Sequence, residues 1–206
     1  QLPHLWSILE KMNMSVIKKI GYEADDIIGT LAEQAQENNL ISYIVSGDKD
    51  FMQLINDEIF LYAPGTKKTP YPIIYDCEKV EKKWGVPPEK IIDLLGLMGD
   101  SSDNVPGVAG VGQKTAVKLI KEFGSLEGAL ENASLVKNKR AQTGLLNGSD
   151  NARLSKELVT IVKDMTLEYQ ITDFDIKTMN INACIEKFSE LEFHALLKQF
   201  AKLDNG

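Results

Sequence analysis

The hydrophobic pattern of the chain changes at Pro87. Before it, apolar runs of strand length alternate with helical spacing; after it, only helical spacing remains. Glu23 to Asn38 sets Ile27, Ile28, Leu31, Ala32 and Ala35 on a helical repeat and stops at Asn38-Asn39. Ile41 to Val45 then reads as a buried strand. Phe60 to Tyr62 and Ile73 to Tyr75 read as short strands beside the turn-rich Ala63-Pro64-Gly65 and Thr69-Pro70-Tyr71-Pro72. Strands alternating with helices predict an α/β sheet. Beyond Pro87, helical patterns run through Ile91 to Met98, Gln113 to Phe123, Leu126 to Leu130, Arg153 to Val162 and Leu191 to Leu203, so the second half is predicted to be a helical module. Asn147-Gly148-Ser149-Asp150-Asn151 reads as a mobile loop, and Asp204-Asn205-Gly206 as the start of a linker.

A chain of 206 residues can enclose a full core without staples. Hydrophobic residues at 43% and charged ones at 26% are globular values. That composition sets a disordered reading aside, and since no apolar stretch nears the ~18 residues of a membrane helix, a membrane-spanning one is set aside too. Cys77 and Cys184 stand far apart without a partner motif and read as reduced thiols of a cytosolic chain. His4 and His194 are equally isolated, so zinc or Cys/His chemistry has little raw material, whereas oxygen ligands for hard cations are plentiful. A net charge of −7 argues at first against a phosphate partner. Yet residues 104–163 hold 9 basic and 5 acidic side chains, a net of +4 on which a phosphate-facing surface could be built.

Acid collects at the ends of the predicted elements. Glu23-Ala24-Asp25-Asp26 opens a helix, and the i, i+3 spacing puts Glu23 and Asp26 on one face with Asp25 beside them; the helix dipole alone would also favour acid there. Gly47-Asp48-Lys49-Asp50 follows the strand Ile41 to Val45, at the carboxyl end where ligand groups gather in open α/β sheets. An Asx turn, or an N-cap for a helix from Phe51, is the competing reading. Gly99-Asp100-Ser101-Ser102-Asp103-Asn104 is either a plain polar loop or a third acidic pair. Gathering Glu23, Asp25, Asp26, Asp48, Asp50, Asp100 and Asp103 in one place is prohibitive unless cations neutralise them. Two Mg²⁺ ions would do so, and would activate a water and stabilise the leaving oxygen in phosphodiester cleavage.

Glycines 107, 110 and 112 precede a helix that carries Ala116, Leu119, Ile120 and Phe123 on one face. Gly110 and Gly112 allow a tight turn, and the helix N-terminus offers N–H groups to a phosphate with Lys114 and Thr115 adding donors. The spacing is not that of a nucleotide-binding P-loop, and a hairpin packed for its own sake is the plainer reading. As a helix–hairpin–helix it would grip the nucleic-acid backbone rather than read bases.

In order and spacing, Gly21-Tyr22-Glu23-Ala24-Asp25-Asp26-Ile27-Ile28-Gly29-Thr30, Ser46-Gly47-Asp48-Lys49-Asp50 and Leu97 through Ala116 resemble the 5′-nuclease domain of bacterial DNA polymerase I. The resemblance implies a PIN-like mixed or parallel sheet with flanking helices over residues 1–98. It implies a helical DNA-binding module with a helix-hairpin-helix (helix-3-turn-helix) over 99–206. It also implies a 5′-3′ exonuclease and 5′-flap endonuclease that uses two Mg²⁺ or Mn²⁺ ions to trim displaced strands and RNA primers in replication and repair. On this resemblance the seven carboxylates are the metal-site acids, and Gly110, Val111, Gly112, Gln113, Lys114 and Thr115 face duplex DNA. The main-chain carbonyls of Leu97, Met98, Pro106, Val108 and Val111 would hold a K⁺ ion. The expected protein is monomeric and cytoplasmic, at the bacterial nucleoid, and continuous with proofreading and polymerase domains.

In the family a strand bearing another metal-binding aspartate and a basic helical arch precede the region matched here. The sheet is therefore expected to lack a central strand, and the site two acids and its 5′-end clamp. Two other readings follow: a fragment that binds duplex DNA without cutting it, and a stand-alone relative without a polymerase. The charge objection also weakens, because the candidate metal-site acids equal the net deficit in number.

Overall fold

The structure, a computed structural model, describes residues 2–67 and 69–203, so the linker start read at Asp204-Asn205-Gly206 lies outside the described residues. In chain order the helices are α1 (Leu2–Lys11), α2 (Ala24–Glu37), α3 (Cys77–Trp84), α4 (Ile91–Met98), α5 (Gln113–Phe123), α6 (Leu126–Glu131), α7 (Lys139–Asn147), α8 (Ser149–Leu158), α9 (Ile181–Glu190) and α10 (His194–Leu203). The strands are β1 (Ser42–Val45), β2 (Ile59–Ala63) and β3 (Ile73–Tyr75). Contacts divide the chain into two compact units: Glu23–Met165, and Gln1–Tyr22 with Thr166–Gly206.

The larger unit contains the sheet, in the order β1-β2-β3. β1 runs parallel to β2 with Ser42 opposite Ile59, and β2 antiparallel to β3 with Leu61 opposite Tyr75. The sheet is thus mixed, and no strand follows β3 among the described residues. Side chains alternate across a strand, so Ile44, Ile59 and Leu61 point into the core while Tyr43 and Val45 stay 56% and 68% exposed. The expectation of a buried Ile41–Val45 strand is corrected accordingly: β1 is an edge strand buried on one side. Its Tyr43 stacks on Phe60 with ring centroids 5.3 Å apart.

α4 is the hub. It is apolar nearly all round, the signature of a core helix, and Ile91, Leu94, Leu95 and Leu97 are each at most 1% exposed. Each such side chain contributes about 1.5–3 kcal/mol by leaving water. α4 packs against α8 and α5, which ties the helical half to the sheet half.

Three readings of the second half are corrected. Ser149-Asp150-Asn151 is the first turn of α8 rather than a loop, with Gly148 alone separating it from α7; Ser and Asp suit turns and first helical turns alike. The helix read over Arg153 to Val162 starts earlier and ends at Leu158, after which Val159 makes a turn and the chain continues without regular structure. α10 begins at His194 rather than Leu191, because Glu192 turns to φ +57°.

In the smaller unit, α1, α9 and α10 share a core of Cys184, Phe188 and Phe200 with Ile8 and Met12 against it. Phe188 and Phe200 meet edge to face at 4.8 Å.

Candidate metal centre and hairpin

Three element ends in the larger unit bring the acids together. Glu23 is the extended N-cap of α2, and Asp26 Oδ2 accepts from its N–H at 3.2 Å. The other oxygen of Asp26 accepts from Val162 N at 2.9 Å, across 136 residues of chain. After β1, Ser46 Oγ accepts from Asp48 N and Asp48 Oδ1 from Asp50 N, both at 3.0 Å. This Asx turn starts a 3₁₀ helix over Asp50–Leu54. After α4, Asp100 and Val105 exchange backbone hydrogen bonds of 2.9 and 2.8 Å, closing a short loop that presents Asp100 and Asp103. Gly99 and Gly107 make the base of that loop. Both have positive φ, and a Cβ on Gly107 would lie 2.4 Å from Gly99 N, so the two backbones touch where no side chain fits.

The result is one polar cleft of about 400 Å³ lined by Glu23, Asp25, Asp26, Asp48, Asp50 and Asp103. Asp100 is buried, 6% exposed. One carboxylate oxygen each of Asp50, Asp100 and Asp103 lie within 4.8 Å of one another. All seven predicted acids are therefore gathered, and the Asx turn and the acidic pair read at Asp48 and Asp50 prove to be the same feature.

The acids feel one another. Burial, then the charges of Asp48, Glu23, Asp26 and Asp103, raise the Asp25 carboxyl above its ordinary value. Burial pushes Asp50 up to about 6; Lys49 opposes this, and Asp48 and Asp100 add to it. Asp100 goes the other way despite its burial, because Lys49 and the N–H of Ser102 donate to it. Asp50 Oδ1 is buried, makes no hydrogen bond, and faces Lys49 Nζ at 3.4 Å.

Beside the cleft, Val108 N donates to Leu97 O at 2.8 Å and Val111 N to Val108 O at 3.0 Å, which folds Gly107–Val111 back on α4. Both carbonyls keep a second lone pair. Gly110 turns at φ +82°, and Gly112 is the extended N-cap of α5. Ala116, Leu119 and Ile120 face the core, Val111 is buried and Thr115 half-buried, and Gly112, Gln113 and Lys114 are exposed. The predicted DNA-facing stretch thus has its outer surface free and its inner surface packed.

Several residues at the site had no expectation from sequence. Leu158, Val159, Thr160 and Ile161 form one wall of the cleft. Gln53 holds that wall: its Nε2 donates to Val159 O at 2.9 Å, and its Oε1 accepts from Ile161 N at 3.0 Å. Lys49 lies between two acids, where its place in Asp48-Lys49-Asp50 was the available signal. At the hairpin, the Arg140 stem covers Gly110, beside a groove of about 640 Å³ that also borders Thr143 and Asn147.

Comparison with known proteins gives a consistent picture. The family descriptions "5′-3′ exonuclease, N-terminal resolvase-like domain" and "5′-3′ exonuclease, C-terminal SAM fold" match residues 1–85 and 86–182. DNA polymerase I of Bacillus subtilis is 40% identical over 204 residues, which are 98% of this chain and 23% of that protein. The chain thus spans about a quarter of such polymerases. The 5′-3′ exonuclease of Aquifex aeolicus is 35% identical over 203 residues, 98% of this chain and 67% of the relative. A structure of T5 5′-exonuclease with divalent metal ions (zinc) bound superposes with a TM-score of 0.67 at 20% identity, covering 94% of this chain and 63% of that one. The catalytic core of Rad2 in complex with DNA substrate gives 0.60 at 17%, covering 92% and 62%. The fold is therefore a resolvase-like PIN domain followed by a SAM-like helical region. No helix among the described residues is long and apolar enough to cross a membrane.

Proposed function

Because the chain belongs to the 5′-3′ exonuclease family, we propose that it is a structure-specific 5′-nuclease that hydrolyses DNA phosphodiesters at 5′ flaps and nicks and removes RNA primers in replication and repair. The convergence of seven carboxylates, six lining one cleft and Asp100 clustered with Asp50 and Asp103, carries this reading. An all-oxygen donor set suits Mg²⁺ or Mn²⁺, and Asp50 Oδ1, buried and without a hydrogen bond though ion-paired with Lys49, is the kind of atom such an ion satisfies. Glu23, Asp25, Asp26, Asp48, Asp50, Asp100 and Asp103 would hold two ions, which supply Lewis acidity and a water made acidic at neutral pH.

The chain's own groups do the positioning. Asp26 and Gln53 fix the cleft wall at 159–162, and the glycine-based loop fixes Asp100 and Asp103. Gly110, Val111, Gly112, Gln113, Lys114 and Thr115 would hold duplex backbone without reading sequence, and the main-chain carbonyls of Leu97, Met98, Pro106, Val108 and Val111 would hold a K⁺ ion. Residues 1–98 act as the nuclease core and 99–206 as the DNA-binding module. The protein works as a monomer in the bacterial cytoplasm, at the nucleoid, joined to proofreading and polymerase domains.

The test is a 5′-flapped duplex with Mg²⁺ or Mn²⁺. Wild-type protein should cut it, and Asp100→Asn should lose about 100-fold or more of the rate while still binding the duplex. Full activity in Asp100→Asn would refute the assignment. Binding by the wild type without cutting would favour a module that only holds DNA.

A further inference from the structure

Lys49 is a cation built into a cleft of anions. Its Nζ forms an ion pair with Asp100 and lies 3.4 Å from Asp50 Oδ1. Those two residues supply two of the three carboxylate oxygens clustered within 4.8 Å of one another. A divalent ion taken up by Asp50, Asp100 and Asp103 would draw on two carboxylates that Lys49 already pairs with. The Lys49 side chain is 29% exposed, and a flexible four-carbon stem gives it a way out to solvent.

We propose that Lys49 is the resident counter-ion of the cleft: it holds Asp50 and Asp100 together before a divalent cation arrives and is displaced when one binds. The inference rests on reading the cleft as a metal centre. Two opposed effects follow. The ammonium keeps the acids from repelling each other apart, which preserves the cleft in the metal-free protein. It also competes for the same two carboxylates, which weakens divalent-ion binding and makes it readily reversible. Lys49 is in these terms a positioning residue with a direct hand in metal affinity.

The experiment compares wild-type protein with Lys49→Met, which keeps the apolar stem and removes the charge. Mn²⁺ binding is measured by calorimetry, and melting temperature is measured in chelator and in Mn²⁺. Lys49→Met should bind Mn²⁺ about tenfold more tightly, about 1.4 kcal/mol, while melting lower in chelator and regaining more on adding Mn²⁺. A lysine needed only for folding would lower the melting point without tightening Mn²⁺ binding. Equal or weaker Mn²⁺ affinity in the variant, with the wild type binding normally, would overturn the proposal alone. Failure of the wild type to bind Mn²⁺ at all would overturn the metal reading, and the proposal with it. Should Lys49→Met not fold, the wild type gives the answer by lysine acetylation read by mass spectrometry. Saturating Mn²⁺ should raise Lys49 modification several-fold against Lys114 as internal reference, and an unchanged ratio would overturn the displacement.

Discussion

Ser155→Ala offers a test of how the acidic loop is held. Ser155 is wholly buried in α8, and its Oγ accepts from Gly107 N at 2.9 Å. Gly107 is itself buried and in backbone contact with Gly99, at the base of the loop that carries Asp100 and Asp103. Removing the hydroxyl leaves a buried N–H without its partner, at a cost of about 1–3 kcal/mol. Alanine is the better helix former by up to about 0.5 kcal/mol, and deleting one oxygen opens almost no cavity, so the net loss should be about 1–2 kcal/mol. With a urea dependence of about 2 kcal/mol per molar, the unfolding midpoint should fall by roughly 0.5–1 M. Circular dichroism across a urea series measures this, with Ser149→Ala at the start of α8 as a comparison. A midpoint within about 0.15 M of wild type, or 0.3 kcal/mol, would mean that Gly107 N is satisfied without Ser155, and the account of the loop base would fail.

Asp50 makes a prediction about pH. Its carboxyl is raised to about 6 in the fold from an ordinary 3.8, so the folded protein takes up a proton more readily than the unfolded chain. The metal-free protein should therefore gain stability from this group as pH falls through about 6, with the gain complete below the ordinary value. The pKa difference sets a ceiling of about 3 kcal/mol, which solvent screening reduces to about 1 kcal/mol. Thermal melts in chelator should be higher at pH 5.5 than at 7.5, and Asp50→Asn should stabilise at pH 7.5 and flatten the trend; a destabilised Asp50→Asn would contradict the burial argument. Lys114→Ala should weaken binding to duplexes of any sequence and make the salt dependence shallower by about one ion. Fluorescence anisotropy over a salt series measures both, and a loss confined to one sequence would rule out a backbone contact.

What could be read from sequence was what is encoded locally. Each acidic cluster sits beside its own element end, so a helix N-cap, the end of a strand and a glycine-bounded loop could each be placed from a few residues of context. The misreadings arose where one composition serves two structures. Ser149-Asp150-Asn151 has the residues of a loop and equally those of a first helical turn, and only the packing of α8 on α4 decides between them. Val159 to Val162 carries enough apolar residues to extend the preceding helix, yet the chain leaves the helix at Leu158 because better partners lie elsewhere. Gln53 gives this segment both a donor and an acceptor, as a neighbouring strand would, and Asp26 takes the next free N–H at Val162. Gln53 reads as an ordinary polar residue of a short helix, and its partners are 106 and 108 positions away. A side-chain amide that mimics a strand edge has no local signature. The cleft wall, and with it the closeness of the acids in front of it, is therefore a property of the tertiary fold, whereas the acids themselves announce their positions one motif at a time.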